Sequence, residues 1–366
     1  MSPYSNLPVR NFWKTGVAAF SPATIEGLYR KRFDISPGTC VATAGSCFAQ
    51  HIARYLRKRG YSVLDEEPAP VGMPAEVASQ HGYGLFSARF ANIYVVRRLL
   101  QLLQEATGTF QPQDWIWEHK GRFYDALRPS VEPEGLASAD EVRTHRERHL
   151  RACLRMIRKT DVFVFTLGLT EAWIHKASGT VYASAPSSPS GQYDPDQHIF
   201  KNFGVAEIYN DFVELRSIAK SINPDIKFLL TVSPVPLTAT ASDEHVLVAT
   251  TYSKSVLRAV AGELYANFDD IDYFPSYEII SSHFSRGAFY EPNLRSVTMT
   301  GVDTVMRVFF EQHNAGTPAV AISEENGDED VVCEEAMLEA FQTNGAARAE
   351  PFQTNGSPRD LGLATL

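Results

Sequence analysis

Short apolar runs alternate with longer amphipathic segments over residues 38–312. Each apolar run has the length of a strand. Each amphipathic segment carries apolar residues three and four positions apart, as a helix with one buried face does. The predicted strands are residues 39–45, 61–64, 161–168 and 226–232, with a last strand region at 271–274 and 277–280. The predicted helices are residues 47–59, 92–105, 138–159, 205–223, 249–267 and 301–312.

The order of these elements predicts a doubly wound α/β fold. Strands that alternate with helices favour a parallel sheet whose two faces are covered by the connecting helices. The uninterrupted apolar run at 161–168 is typical of a strand that is buried on both sides. In such sheets the functional site lies beyond the carboxyl ends of the strands. That rule predicts a site formed by Gly45 and Ser46, residues 168–171 and residues 233–236.

Two segments interrupt the alternation, and a third follows it. Residues 106–138 contain several aromatic residues and predict a hairpin or an irregular insertion, whereas the Pro-, Ser- and Gly-rich residues 183–196 predict a long loop. The periodicity fades from residue 316, and an acidic run follows at 324–330. We therefore expect an N-terminal extension at 1–37, one α/β domain at 38–315, and an acidic, mostly flexible tail at 316–366 that is a candidate docking segment for a protein partner.

Composition and charge exclude several classes of protein. The 366 residues carry 43 acidic and 34 basic side chains, a net charge of −9 that argues against a nucleic-acid partner. No apolar run approaches the roughly 18 residues that a membrane span needs, and the first twenty residues lack the apolar stretch of a signal peptide. The four cysteines are scattered and form no CxxC pair. We expect a cytoplasmic protein that needs neither a metal nor another cofactor.

Ser46 is the first candidate for chemistry, because it lies where a strand leads into a helix N-terminus. Backbone N–H groups and the positive end of the helix dipole can stabilise an oxyanion at that position, which makes Ser46 a candidate nucleophile. The alternative interpretation is that Ser46 only caps the following helix. Cys47 is a rival nucleophile, since a helix N-terminus lowers the pKa of a thiol, although a cysteine there is more often a small buried apolar residue.

The motif at residues 45–49, Gly-Ser-Cys-Phe-Ala, is the one for which the GSCFA family is named. The chain resembles that family, which is similar to the SGNH or GDSL-like esterases and acyltransferases. The resemblance spans roughly residues 38–310, and further matching segments follow in the same order at 86–94, 163–173, 231–240, 245–249 and 273–278.

This resemblance implies a three-layer α/β/α sandwich with a mostly parallel sheet, of the SGNH or flavodoxin-like type with insertions. It also implies that Ser46 attacks an acyl carbonyl, with its own N–H group in the oxyanion hole. Ala91 and Asn92 stand near the second contributor to that hole, and Gly168 and Thr170 near the third. Thr170 occupies the place of an expected asparagine, and its hydroxyl can still donate one hydrogen bond.

The chain departs from the SGNH pattern at the general base. Asn293 and Ser296 stand where SGNH enzymes have Asp-x-x-His, and neither side chain can act as a base near neutral pH. His245 is the favoured replacement, and His283 is the alternative base. Glu278 or Asp243 is the expected orienting carboxylate for His245.

Two functions from different classes follow. The first is a serine esterase or O-acyltransferase that acts on a small acyl group, carried by a carbohydrate or another small molecule, through an acyl-Ser46 intermediate. Glu171 and Trp173 are expected to line its pocket, and Arg89 or Arg128 to bind an anionic part of the substrate, unless Trp173 is a core residue and the arginines only form ion pairs. The second is a non-catalytic binding or scaffold protein that has lost the Asp-x-x-His dyad.

Overall fold

A computed structural model describes residues 2–187 and 190–313 of the chain. Its strands are β1 (Val41–Gly45), β2 (Ile116–His119), β3 (Arg122–Asp125), β4 (Val162–Leu167), β5 (Glu171–His175), β6 (His198–Asn202), β7 (Lys227–Val232) and β8 (Ile271–Tyr273). Its α-helices are α1 (Trp13–Gly16), α2 (Phe48–Lys58), α3 (Ala75–Gln80), α4 (Val96–Ala106), α5 (Ala139–Lys159), α6 (Val205–Ile222), α7 (Val246–Asn267), α8 (Ser276–Ser281) and α9 (Met299–His313). The predicted tail at 316–366 lies outside the described residues.

The central sheet has the strand order β1-β4-β7-β8, and each neighbouring pair is parallel. Val41 of β1 lies opposite Val162 of β4, so the carboxyl ends of these two strands finish side by side at Gly45 and Thr166. The predicted strand at 61–64 contributes only a single parallel bridge, between Val63 and Val41.

Successive residues of each strand face opposite layers of helices. Val162 and Val164 of β4 pack into a cluster that includes side chains from α2, α8 and α9. Phe163 and Phe165 pack into a second cluster that includes side chains from α4, α5, α6 and α7. Because both faces are covered, β4 is buried along its whole length, as its continuous apolar sequence predicts. The predicted three-layer α/β/α sandwich is confirmed.

Two smaller features differ from, or add to, the predicted elements. Strands β2 and β3 form an antiparallel hairpin inside residues 106–138, which confirms the hairpin alternative. The strand predicted at 277–280 is wrong, because these residues belong to α8. Pro275 precedes this helix and has no N–H group to continue a sheet, while Ile279 and Ile280 become buried beside α9. The β5–β6 hairpin was not predicted.

The N-terminal segment packs against the end of β8. The Tyr29 hydroxyl donates to Asp272 Oδ2 over 2.8 Å, and both residues are buried. Arg32 Nη1 donates to three backbone carbonyls, those of Tyr265, Phe268 and Ile271. Residues 29–32 are therefore fixed to the domain by hydrogen bonds. Among the described residues, no helix is both long enough and apolar enough to cross a bilayer.

The turn at Gly45 generates the first prediction. Gly45 has a φ of +130°, and a Cβ atom placed on it would lie 2.4 Å from the Thr166 carbonyl oxygen. Gly60 also has a positive φ, +76°, but a Cβ atom there would meet nothing within 4 Å. We expect Gly60→Ala to lower the free energy of unfolding by about 1 kcal/mol, from backbone strain alone. Gly45→Ala adds a backbone clash, so we expect a loss of about 3 kcal/mol or more.

Urea denaturation of both variants, followed by circular dichroism, measures this difference. Equal losses in the two variants would show that the approach of Gly45 to Thr166 does not constrain the fold.

Candidate functional site

Ser46 and Cys47 form the turn between β1 and α2. Ser46 is only 2% exposed, and its Oγ atom has no hydrogen-bond partner within the described residues. A capping serine accepts a hydrogen bond from an amide of the first helical turn. The Ser46 hydroxyl does not, and the residue at the N-cap position is Cys47. The capping interpretation of Ser46 is therefore wrong, and its hydroxyl is left without a structural hydrogen bond.

The predicted second segment lies directly beside this turn. The Ile93 N–H group donates to the Gly45 carbonyl over 2.8 Å, which places Asn92 next to the Ser46 turn. Asn92 is buried, and its Oδ1 atom accepts a hydrogen bond of 3.4 Å from Gln50 Nε2 of α2. Ala91 has a φ of +59°, a left-handed conformation that is uncommon for a residue with a side chain.

Gly168 brings the predicted third segment against Ser46. A Cβ atom on Gly168 would lie 3.1 Å from the Ser46 Cβ atom, a closer contact than most Cβ atoms make. A larger residue at 168 would therefore push the two segments apart. The Gly168 N–H group donates to the Tyr94 carbonyl over 3.2 Å. Its own carbonyl accepts a hydrogen bond of 2.7 Å from Lys254 Nζ, a buried ammonium group on α7. Lys254 was not among the predicted site residues, although a lysine within the apolar pattern of 249–267 is a signal for such a role.

Thr170 has a buried hydroxyl without a partner in the described residues, as do Thr43 and Thr166 of the neighbouring strands. The Thr170 backbone N–H group donates to Ser253 Oγ over 3.1 Å, whereas its Oγ1 atom has no hydrogen bond within the described residues. The Ser46 N–H group, which we expect in the oxyanion hole, donates instead to the Thr166 carbonyl over 3.1 Å. In this arrangement the available donor is the Thr170 side chain rather than the Ser46 amide.

His245 lies at the N-cap of α7, and its side chain is exposed. The Leu247 N–H group donates to His245 Nδ1 over 3.2 Å, so the neutral ring carries its proton on Nε2. A general base that accepts a proton at Nε2 needs the opposite tautomer, with Nδ1–H donating to a carboxylate. Glu278, an expected orienting carboxylate, accepts hydrogen bonds from Arg258 Nε and from the Tyr273 hydroxyl. The structure does not bring Ser46, His245 and Glu278 together as a hydrogen-bonded triad.

The other predicted base lies at a different surface. His283 is exposed and stacks on the Trp13 ring, with ring centroids 5.2 Å apart. Asn293 and Ser296, at the place of the missing dyad, form a local turn in which Asn293 Oδ1 accepts the Ser296 N–H group over 2.9 Å.

The two arginines proposed to bind an anion are occupied by the protein itself. Arg89 donates to the His81 and Val131 carbonyls and to Glu132. Arg128 Nε donates to Asp125 Oδ2 over 2.9 Å, and Nη1 donates to the Arg89 carbonyl. These contacts support the ion-pair interpretation of Arg89 and Arg128.

A cavity of about 470 Å³ is lined in part by residues of the two segments that contact the Ser46 turn, although Ser46 itself is not among its lining residues. Asn92 and Leu169 belong both to its wall and to the segments that surround Ser46. Its charged lining residues are Arg98 and the predicted Glu171. Burial raises the pKa of the Glu171 carboxyl, and a hydrogen bond of 2.9 Å from Thr240 Oγ1 opposes that increase. Much of the remaining wall is aromatic, formed by Tyr94, Trp173, Tyr182, Tyr193 and Phe200.

Cys153, His149 and Glu67 lie in the order of a Cys-His-carboxylate triad, in which Cys153 and His149 are fully buried and Glu67 is partly exposed. His149 Nδ1 lies 2.6 Å from Glu67 Oε2, and His149 Nε2 lies 3.6 Å from Cys153 Sγ. Burial raises the pKa of the Cys153 thiol and lowers that of His149 to about 4. A sealed, protonated thiol is not a nucleophile, so this cluster has a structural role. The described residues contain no group of three or more His, Cys, Asp or Glu side chains that could hold a metal ion.

Comparisons with known proteins agree with the motifs in the sequence. The sequence model of the GSCFA family matches residues 40–309. None of the curated proteins matches the chain. One similar solved structure is a GDSL-like lipase from Bacteroides thetaiotaomicron VPI-5482, with 14% identity and a TM-score of 0.27 over 46% of this chain and 71% of the lipase. Another is described as a GDSL-like lipase from Parabacteroides merdae ATCC 43184. It has 16% identity and a TM-score of 0.33, and the match covers 78% of this chain and 99% of that protein.

The unpartnered hydroxyls generate a stability prediction. Neither Ser46→Ala nor Thr170→Val removes a side-chain hydrogen bond, so we expect the free energy of unfolding to change by less than about 0.5 kcal/mol or to rise. Thr160→Val is the matched control, because the buried Thr160 hydroxyl donates to the Met156 carbonyl over 2.7 Å. We expect that variant to lose about 1 kcal/mol.

Chemical denaturation of the three variants tests the expected order. A loss at Ser46 or Thr170 that equals the loss at Thr160 would mean that these hydroxyls stabilise the fold rather than remain available to a ligand.

Proposed function

This chain belongs to the GSCFA family, and on that premise we propose that it is a serine esterase or O-acyltransferase of the SGNH type. One observation carries the proposal: the buried Ser46 Oγ atom has no hydrogen bond, and it lies at a strand-to-helix turn beside Gly168. A hydroxyl in this state loses no structural hydrogen bond when it attacks a carbonyl carbon. The cavity shares Asn92 and Leu169 with the segments around Ser46, which supports access of a substrate from that side.

The proposed reaction has two halves. Ser46 Oγ bonds to the acyl carbon while a base takes the serine proton, and the proton then passes to the departing alcohol as its ester bond breaks. In the other half, water or a second hydroxyl gives its proton to the base and bonds to the acyl carbon, the bond to Ser46 Oγ breaks, and the base returns the proton to Ser46. Water as the acceptor makes the enzyme a hydrolase, and a hydroxyl makes it a transferase. Asn92 and the Thr170 hydroxyl are the proposed side-chain donors to the oxyanion. The fixed position of Gly168, held by Lys254, supports this arrangement.

His245 is the proposed base, with His283 as the alternative. His245 follows residues 237–241, a segment that contributes four lining residues to the cavity. To act as a base, its ring must release the Leu247 N–H group and turn toward Ser46. The proposed substrate is a small acyl group on a carbohydrate, because the aromatic wall offers flat apolar surfaces to the C–H faces of a sugar ring.

A second candidate function is ligand binding without cleavage. The exposed His245 caps α7, and the usual dyad position is occupied by the Asn293 turn. A protein with these features uses the cavity to hold a ligand. A cytoplasmic location and a protein partner for residues 316–366 remain predictions from the sequence.

A fluorophosphonate probe distinguishes the two functions. We expect the wild type to gain one adduct on Ser46, detected by mass spectrometry, and Ser46→Ala to gain none. Cys47→Ala is the matched control for the neighbouring nucleophile and should still be labelled. If His245 is the base, His245→Ala slows labelling about 100-fold or more, whereas His283→Ala leaves the rate unchanged.

Several results would contradict the proposal. A folded wild type that gains no adduct would favour the binding function. An adduct that moves to or depends on Cys47 would make the thiol the nucleophile. Equal rates for His245→Ala and the wild type would exclude His245 as the base.

A further inference from the structure

Arg98 of α4 is a buried cation in the cavity wall. Its side chain is 3% exposed, and it lines the cavity together with Asn92. Its Nη2 atom donates to the Leu127 carbonyl over 3.0 Å. Within the described residues, its Nε atom has no hydrogen-bond partner. The guanidinium group has five N–H donors, and among the described residues its hydrogen-bond acceptor is the neutral Leu127 carbonyl.

The carboxylates near Arg98 are bonded to other arginines. Asp125 Oδ2 accepts a hydrogen bond of 2.9 Å from Arg128 Nε and lies 3.5 Å from Arg146 Nη1. Glu105 Oε1 accepts a hydrogen bond of 3.0 Å from Arg146 Nε. Burial and the nearby charge of Arg146 lower the pKa of Arg98 to about 10, opposed by Glu105 and Asp125, so Arg98 is still charged at neutral pH.

A buried charge without a hydrogen-bonded counter-ion is costly, and a bound anion removes that cost. We infer that Arg98 binds an anionic group, a carboxylate or a phosphate, on the ligand that occupies this cavity. Arginine donors match both groups, because two parallel N–H bonds can reach two oxygen atoms. Arg98 thus takes the role that the sequence assigned to Arg89 or Arg128.

The cavity also restricts the remainder of the ligand. Asn92 lines the cavity and lies next to the Ser46 turn, so an ester at that turn and an anion on Arg98 belong to one molecule. Trp173 contacts both Tyr193 and Phe200 edge to face, and these rings provide an apolar surface for the body of the ligand. The proposed substrate is an acyl ester that carries an anionic group. The position of the ester rests on the proposed function, whereas the anion site does not.

Binding to the full-length Ser46→Ala protein tests the inference, because this variant cannot turn over the probes. Three probes share an O-acetylated sugar: O-acetylglucuronic acid with its carboxylate free, the neutral carboxamide of that acid, and O-acetylglucose 6-phosphate. We expect the carboxylate, the phosphate or both to bind about tenfold or more tightly than the carboxamide in isothermal titration calorimetry. The better anion identifies the source of the charge.

Substitutions assign the preference to Arg98. Arg98→Met in the same background should abolish the preference for the anionic probes, and Arg98→Lys should retain part of it. Arg97→Met is the matched control, since Arg97 is the adjacent residue on α4 and pairs with Asp211 outside the cavity lining. We expect that variant to keep the full preference.

The inference is overturned if the carboxamide binds as tightly as both anions, or if neither anion binds. It is also overturned if Arg98→Met or, should that variant fail to fold, Arg98→Lys binds all probes as the parent protein does. A preference for anions in a protein that fluorophosphonate does not label would instead retain the anion site and reject the serine chemistry.

Discussion

The close approach of Gly45 to the Thr166 carbonyl determines where the rest of the site lies. It allows β1 to finish against β4 and to turn at once into α2, so that Ser46 stands at the edge of the sheet. The Gly45 carbonyl then accepts the Ile93 N–H group, and the Tyr94 carbonyl accepts that of Gly168. Because backbone groups hold these three segments together, the Ser46 and Thr170 side chains are not needed to do so.

Three buried polar atoms lack a hydrogen bond to any residue that the structure describes, in the Ser46 turn, in the segment after Gly168 and in the cavity wall. Ser46 Oγ, Thr170 Oγ1 and Arg98 Nε are all buried without a hydrogen bond in the described residues. The buried Thr160 hydroxyl, by contrast, donates to the Met156 carbonyl, although Thr43 Oγ1 and Thr166 Oγ1 of the sheet are also without a hydrogen bond in the described residues. An unsatisfied buried polar atom costs about 1–3 kcal/mol, so a ligand that bonds to these atoms recovers free energy that the fold lacks. In the proposed function, the acyl group of the substrate meets the two hydroxyls, and its anionic group meets the Arg98 guanidinium.

Apolar runs predicted the sheet and the positions of Ser46, Gly168 and Thr170, because the carboxyl ends of parallel strands share one edge. The position of Asn92 was predicted only from the resemblance to the family. The sequence could not identify Arg98. Arg97 and Arg98 are adjacent on one helix, yet Arg97 pairs with Asp211, and Arg98 is buried. Ion pairs between distant segments, such as Arg146 with Glu105, determine which arginine is left without a bonded carboxylate. The sequence also did not predict local hydrogen bonds, such as the one that the Leu247 N–H group donates to His245 Nδ1.

The proposed catalytic function requires a rearrangement of His245 that the proposed binding function does not. Releasing the Leu247 N–H group costs about as much as losing an N-cap, about 1 kcal/mol. A hydrogen bond between the Arg98 guanidinium and an anion contributes about 1.5–3 kcal/mol. Residues 237–241 both line the cavity and lead into His245, so a ligand can couple these two changes. The proposed contact with an anion thus contributes more free energy than the release of the Leu247 N–H group costs.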